Sequence, residues 1–196
     1  MAKKNNRNTK GKIVSAAWRL FYEQGYENTT VEEIIFESGT SKGSFYHYFE
    51  GKDELLSTLS LLFDEKYEEL IPCLSDDTDA FTKLMFLNKE LFKMIENSIS
   101  IELLARLYSS QLVTKGEVHL LDRNRVYYKL LRKVISEGQK KGELTDKKTV
   151  SEIVKVYALC ERALIYDWCI CSGEYSLSKY AEEMMPIFMG SMRASA

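Results

Sequence analysis

The chain has 196 residues, 45% of them apolar and 29% charged, with a formal net charge of −2. That length suits one medium domain or a small domain joined to a larger one, and that apolar content excludes global disorder. With only two prolines, Pro72 and Pro186, and no alternating runs joined by hairpin turns, the fold class is all-α.

The chain opens basic. Lys3, Lys4, Arg7, Lys10, Lys12 and Arg19 all precede the first acidic residue, Glu23, so the remainder is acidic. Such an arm suits phosphate neutralisation or minor-groove insertion, and a solubilising leader is the alternative. A first helix is predicted from Lys10 to Gln24. Ile13, Ala16, Ala17, Leu20 and Phe21 follow the i, i+3, i+4, i+7, i+8 stripe of an amphipathic helix, and Gly25 ends it.

Thr29 to Leu55 carries the most information. Thr30 with Glu33 forms a capping box, and Glu32 and Glu33 suit the positive end of a helix dipole. Val31, Ile34 and Ile35 supply the apolar side, with Ser38 on the same face. Gly39 can take the left-handed conformation that stops a helix, and Ser41 can cap the next one. That second helix, Lys42 to Phe49, has Phe45, Tyr48 and Phe49 for packing. Lys42, Ser44, Tyr46 and His47 remain as donors to phosphates or bases, and Gly43 lets the backbone approach a ligand closely. Lys52 follows at the start of the next helix, placed for a phosphate. Two short helices around a Ser-Gly-Thr-Ser turn are the layout of a helix-turn-helix, whose second helix enters the DNA major groove.

The segment resembles the DNA-binding domain of the tetracycline-repressor (TetR) family of bacterial regulators. Thr30, Ile34, Gly39, Ser41, Lys42, Gly43, Ser44, Tyr46, Tyr48, Phe49, Lys52, Glu54 and Leu55 stand in the places of that family's pattern. Two residues depart from it. Ile35 replaces the usual Ala and adds bulk where two helices cross, and Thr40 replaces a frequent Val. The candidate DNA contacts are therefore Thr30, Ser41, Lys42, Gly43, Ser44, Tyr46, His47 and Lys52.

Residues 1–50 are read as the arm and DNA-binding domain, and 51–196 as a helical regulatory and dimerisation domain, about nine helices in all. A helix from Lys52 to about Leu70 links the two, broken by Pro72. Helices follow over Ala80 to Asn97, Ile99 to Gln111 and Leu120 to Gly138, with a loop over Val113 to Val118. Val150 to Cys171 is apolar almost all round, so one face should cover the core and another a partner. With Leu177 to Met192 it suits a four-helix interface between two copies, and the resemblance implies the same homodimer.

The resemblance also implies a small-molecule effector that releases a double-stranded DNA operator. Met85, Phe92, Tyr108, Tyr127, Tyr157, Arg162 and Trp168 are candidate lining, and core packing is the alternative for each. Glu161 and Arg162 interrupt an apolar helix and must be paired if buried. They suit a polar ligand, an intersubunit ion pair or an internal pair.

No cofactor, metal or catalytic residue is expected. His47 and His119 are the only histidines, and no phosphate-cradling loop or nucleophile motif is present. Cys169 and Cys171 would sit about 200° apart on a helix, so Cys73, Cys160, Cys169 and Cys171 are read as buried free thiols. The basic start lacks the apolar core of a secretion signal, and Ala163 to Cys171 is too short to span a bilayer. A cytoplasmic, non-membrane transcriptional regulator is expected, a homodimeric repressor that binds a palindromic operator and is released by an effector of unidentified structure, with a helical ligand-binding or adaptor protein that does not bind DNA as the alternative. Repressor and activator are not distinguished by sequence, although the family pattern favours a repressor.

Overall fold

A computed structural model describes residues 2–113 and 119–194, with backbone alone for 2–8 and 119. Ten α-helices run through the described residues, joined by turns and three short 3-10 segments. Strand pairing among them is limited to an isolated bridge between Leu144 and Arg193.

Helix α1, Ala2–Gln24, starts earlier than the apolar stripe requires. The polar run ahead of Lys10 contains no proline, and Gly11 alone costs a helix only about 1 kcal/mol. The arm's backbone is thus helical, while the side chains of Lys3, Lys4 and Arg7 lie outside the described residues. Helix α2, Val31–Ser38, begins with the capping box: the Thr30 hydroxyl accepts from Glu33 N–H at 3.2 Å, and Thr30 N–H donates to Glu33 Oε2 at 2.7 Å. Gly39 ends it at φ 61°, where a Cβ would be strained. Ser41 caps α3, Lys42–Tyr48, accepting from Ser44 N–H. Phe45 and Phe49 are buried in the same apolar core as Ile13, Ala17, Ile34 and Leu55, and the packing of α1, α2 and α3 on one another closes a three-helix unit.

The single helix expected from Lys52 to Leu70 is two: α4, Lys52–Leu56, and α5, Leu59–Leu70. Hydroxyls interrupt it. Ser57 Oγ donates to the Glu54 carbonyl at 2.6 Å and Thr58 Oγ1 to the Leu55 carbonyl at 2.5 Å. These local bonds compete with the helical ladder. Trp18 Nε1–H then donates to Thr58 Oγ1 at 2.9 Å, fastening the break to α1.

Helix α6, Ala80–Ser98, is the central strut, capped by Asp79 and buried at Leu84, Leu87, Leu91, Phe92 and Ile95. Around it pack α5, α8 (Val126–Lys140) and α10 (Leu177–Met189). Close approach of α8 to the start of α6 requires Gly138, since a Cβ there would lie 2.4 Å from that of Ala80. Helix α7, Ile101–Val113, and α9, Val150–Ile170, pack on each other. The loop expected from Val113 to Val118 falls almost wholly outside the described residues. Helix α8 begins at Val126 rather than Leu120, because Asn124 N–H bonds to Asp122 Oδ1 in a turn and Arg125 is extended. Helices α9 and α10 end slightly before the expected Cys171 and Met192; the latter lies in a 3-10 turn.

Candidate functional site

Helix α3 is amphipathic over two turns. Phe45 is fully buried, which turns Lys42, Gly43, Tyr46 and His47 outward, with Ser44 half-buried. Lys42 Nζ lies 3.6 Å from Glu32 Oε1, so the first turns of α2 and α3 sit side by side. This brings exposed Thr30 and Ser41 to the same edge as Lys42. An ion pair between two exposed side chains is worth little, so Lys42 can exchange Glu32 for another anion. No atom of the chain lies within 4 Å of a Cβ placed on Gly43, and that side of α3 is open.

Lys52 does something else. Its ammonium donates to the carbonyls of Tyr26, Glu27 and Thr29 at 2.8, 3.4 and 2.9 Å and sits 4.4 Å from the Tyr26 ring centroid. It therefore ties the loop between α1 and α2 to α4, and its charge is spent on backbone oxygens rather than directed outward. Charge-assisted bonds of this kind contribute more than neutral ones. Lys52→Met should destabilise the chain by about 1–2 kcal/mol in denaturant unfolding. Unchanged stability would show the three bonds to be incidental.

The seven residues proposed to line a ligand site divide. Tyr108, Tyr127 and Arg162 border an internal cavity of about 40 Å³. Tyr108 and Arg162 also border a larger groove of about 520 Å³ between α7 and α9. The other four border neither. Phe92 and Tyr157 are fully buried, and the Tyr157 hydroxyl donates to the Leu84 carbonyl. Trp168 Nε1–H donates to the Tyr175 carbonyl, and Met85 packs on the core. Helical spacing points a residue inward without saying whether the interior there is packed or hollow.

Glu161 is internal. It is buried and accepts from Asn88 Nδ2 at 3.0 Å and from the Tyr127 hydroxyl at 2.6 Å. Burial raises its pKa, opposed by those hydrogen bonds and by nearby Arg162. Arg162 does not pair with it directly; among the described residues it makes no ion pair. Beside Glu161 lies a second buried polar group that sequence reasoning missed. Arg125 grips Asp64 with two bonds of 3.0 Å and donates to the Ser60 carbonyl at 2.8 Å. Asp64 also accepts from Tyr127 N–H, at the start of α8. An aspartate and an asparagine on the apolar stripes of α5 and α6 were the available signals.

A polar-faced second helix on a capped turn, backed by an apolar core, defines a helix-turn-helix protein. Residues 13–59 match the family of bacterial regulatory proteins described as the tetR family. Over those residues the chain is similar to that family. LmrA, an HTH-type transcriptional regulator of Bacillus subtilis, is 39% identical over 82 residues, which cover 41% of this chain and 44% of LmrA. QacR, another such regulator from Staphylococcus aureus, is 27% identical over 154 residues, covering 74% and 80%. The chain spans about a quarter to a half of the length of several curated relatives it matches. The fold is shared along nearly the whole chain with the TetR-family repressor FadR of Thermus thermophilus, solved with lauroyl-CoA. The TM-score is 0.71 at 18% identity, over 95% of this chain and 96% of that one.

Proposed function

We propose that this chain is a homodimeric transcriptional repressor that binds a palindromic DNA operator and is released by a small-molecule effector. The observation that carries the reading is α3: a capped helix anchored by Phe45, with Lys42, Gly43, Tyr46 and His47 turned outward. Lys42, Ser44 and His47 reach base edges or nearby phosphates, and Thr30, Ser41 and Tyr46 hold the backbone. Lys52 supports this surface from behind through the α1–α2 loop. Residues 1–50 form the reader and 51–196 the sensor and dimer domain, and the protein acts in the cytoplasm, where its DNA target lies.

Dimerisation rests on apolar surface. Leu159, Tyr166 and Ile170 on α9, with Ile187 and Phe188 on α10, are exposed in the single chain. A second copy covering them would pair two α3 helices for half-sites about 34–36 Å apart. The cavity and groove beside α9 supply room for an effector, and the lauroyl-CoA in the Thermus thermophilus relative supports an amphiphilic one. Helix α7 borders that groove at Tyr108. It also holds the DNA-binding unit, since Arg106 pairs with Glu27 and lies 4.9 Å from the Tyr26 ring centroid. Ligand that favours one position of α7 would thereby bias the placement of the reader.

Selection of bound duplexes from a random pool tests this reading. A palindrome with half-sites about one helical turn apart is expected. Recovery without sequence enrichment would overturn it.

A further inference from the structure

The cavity and the groove are neighbours. Tyr108, Leu120 and Arg162 border both, so these side chains stand between an outer apolar groove and an inner polar end. The outer walls are Leu112, Leu121, Leu159, Tyr166 and Ile170, and the α9 residues among them are those assigned above to the second subunit. A partner would cap the groove.

The inner end has an unusual polar balance. Asp64 is satisfied by Arg125, which leaves Glu161 as the carboxylate that faces the cavity without a cation bonded to it. Asn88 and Tyr127 donate to it, the Tyr157 hydroxyl lies beside it, and a carboxylate can accept about four hydrogen bonds. Tyr67 also borders the cavity. Its ring is buried at 1% exposure, and its hydroxyl is the buried side-chain polar atom left without a partner among the described residues. Burying a hydroxyl unpaired is costly, and a native site that tolerates it calls for a missing partner. The cavity admits about a water molecule or the polar tip of a larger molecule.

Resting on the effector-responsive reading above, we propose that the effector is an amphiphile with a hydroxyl or amine end. That end enters the inner cavity between Tyr67 and Glu161, and the apolar body fills the groove between α7 and α9. Such an end donates to Glu161 and bonds the Tyr67 hydroxyl. A carboxylate end would instead bring a second acid beside Glu161 in a low-dielectric site, where the two cannot both ionise without strong repulsion. Arg162 is the competing anchor for an anion. It is half-exposed and borders a further surface groove, so its guanidinium can reach solvent without a ligand.

Isothermal calorimetry on the full chain without DNA tests the class, with decanol, decylamine and decanoate as probes matched in length. Decanol or decylamine should bind and decanoate should bind at least tenfold more weakly; the stronger of the first two identifies the end group. Tyr67→Phe should fold with undiminished thermal stability, because it removes an unpaired hydroxyl, yet weaken the favoured probe about five- to tenfold. Ala163→Trp, at an exposed wall of the groove, should weaken both. Decanoate binding as tightly as the others, no binding by any probe, or probe affinity unchanged in Tyr67→Phe would each overturn the proposal. Because ligand is read without DNA, absence of operator binding would instead count against the repressor reading alone.

Discussion

Replacing Lys42 and Tyr46 together with alanine should lower operator affinity about a hundredfold and leave the fold intact. Both side chains are exposed on α3, and the buried anchor of that helix, Phe45, is untouched. Each contact to a base edge or phosphate is worth about 1–3 kcal/mol, and about 2.8 kcal/mol is a hundredfold in affinity. Loss of the lysine should also reduce the slope of log affinity against log salt by about 1, as expected for one phosphate. Fluorescence anisotropy with the selected duplex across a salt series reads both effects, and circular dichroism checks the fold. Unchanged affinity in the double variant would move the recognition surface elsewhere on the molecule.

Arg125→Met should destabilise the protein by about 3–5 kcal/mol, the expected cost of stranding a buried charge. The methionine keeps most of the arginine's apolar stem but leaves Asp64 with only the Tyr127 N–H and no cation. Asp64 and Arg125 side chains are 12% and 9% exposed, so water cannot replace the lost partner well. Asp64→Asn in the same background should recover part of the loss by removing the stranded charge. Urea unfolding monitored through Trp18 and Trp168 measures both variants. A loss below about 1 kcal/mol would mean that the pair is as weak as a surface ion pair.

The arrangement also separates two kinds of buried polar group. Asp64–Arg125 is closed, with its hydrogen bonds made between α5 and the start of α8. Glu161 and Tyr67 are open on one side, toward a cavity. The first kind orders a helix junction; the second leaves acceptors and a hydroxyl available. Both lie within the packing of α5, α8 and α9, and α7 carries the neighbouring Tyr108 on the same helix as Arg106.

By itself the sequence determined what depends on neighbours a few residues apart. The Thr30–Glu33 capping box, the left-handed Gly39, the Ser41 cap and the outward Lys42, Tyr46 and His47 are local features, and each stands where its spacing put it. The all-helical class follows from the same short-range patterns. Tertiary structure decided the rest. Ser57 and Thr58 can continue a helix or bond back to it, and the contact from Trp18, 40 positions away from Thr58, accompanies the break. Lys52 could face solvent or the α1–α2 loop, and only the folded loop offers it three carbonyls. Phe92 and Tyr127 are both inward on their helices, yet one meets packed neighbours and the other a cavity. Asp64 and Arg125 lie 61 positions apart, so their pairing is absent from any local pattern. Periodicity specifies which face of a helix turns inward; what that face meets depends on how the helices pack.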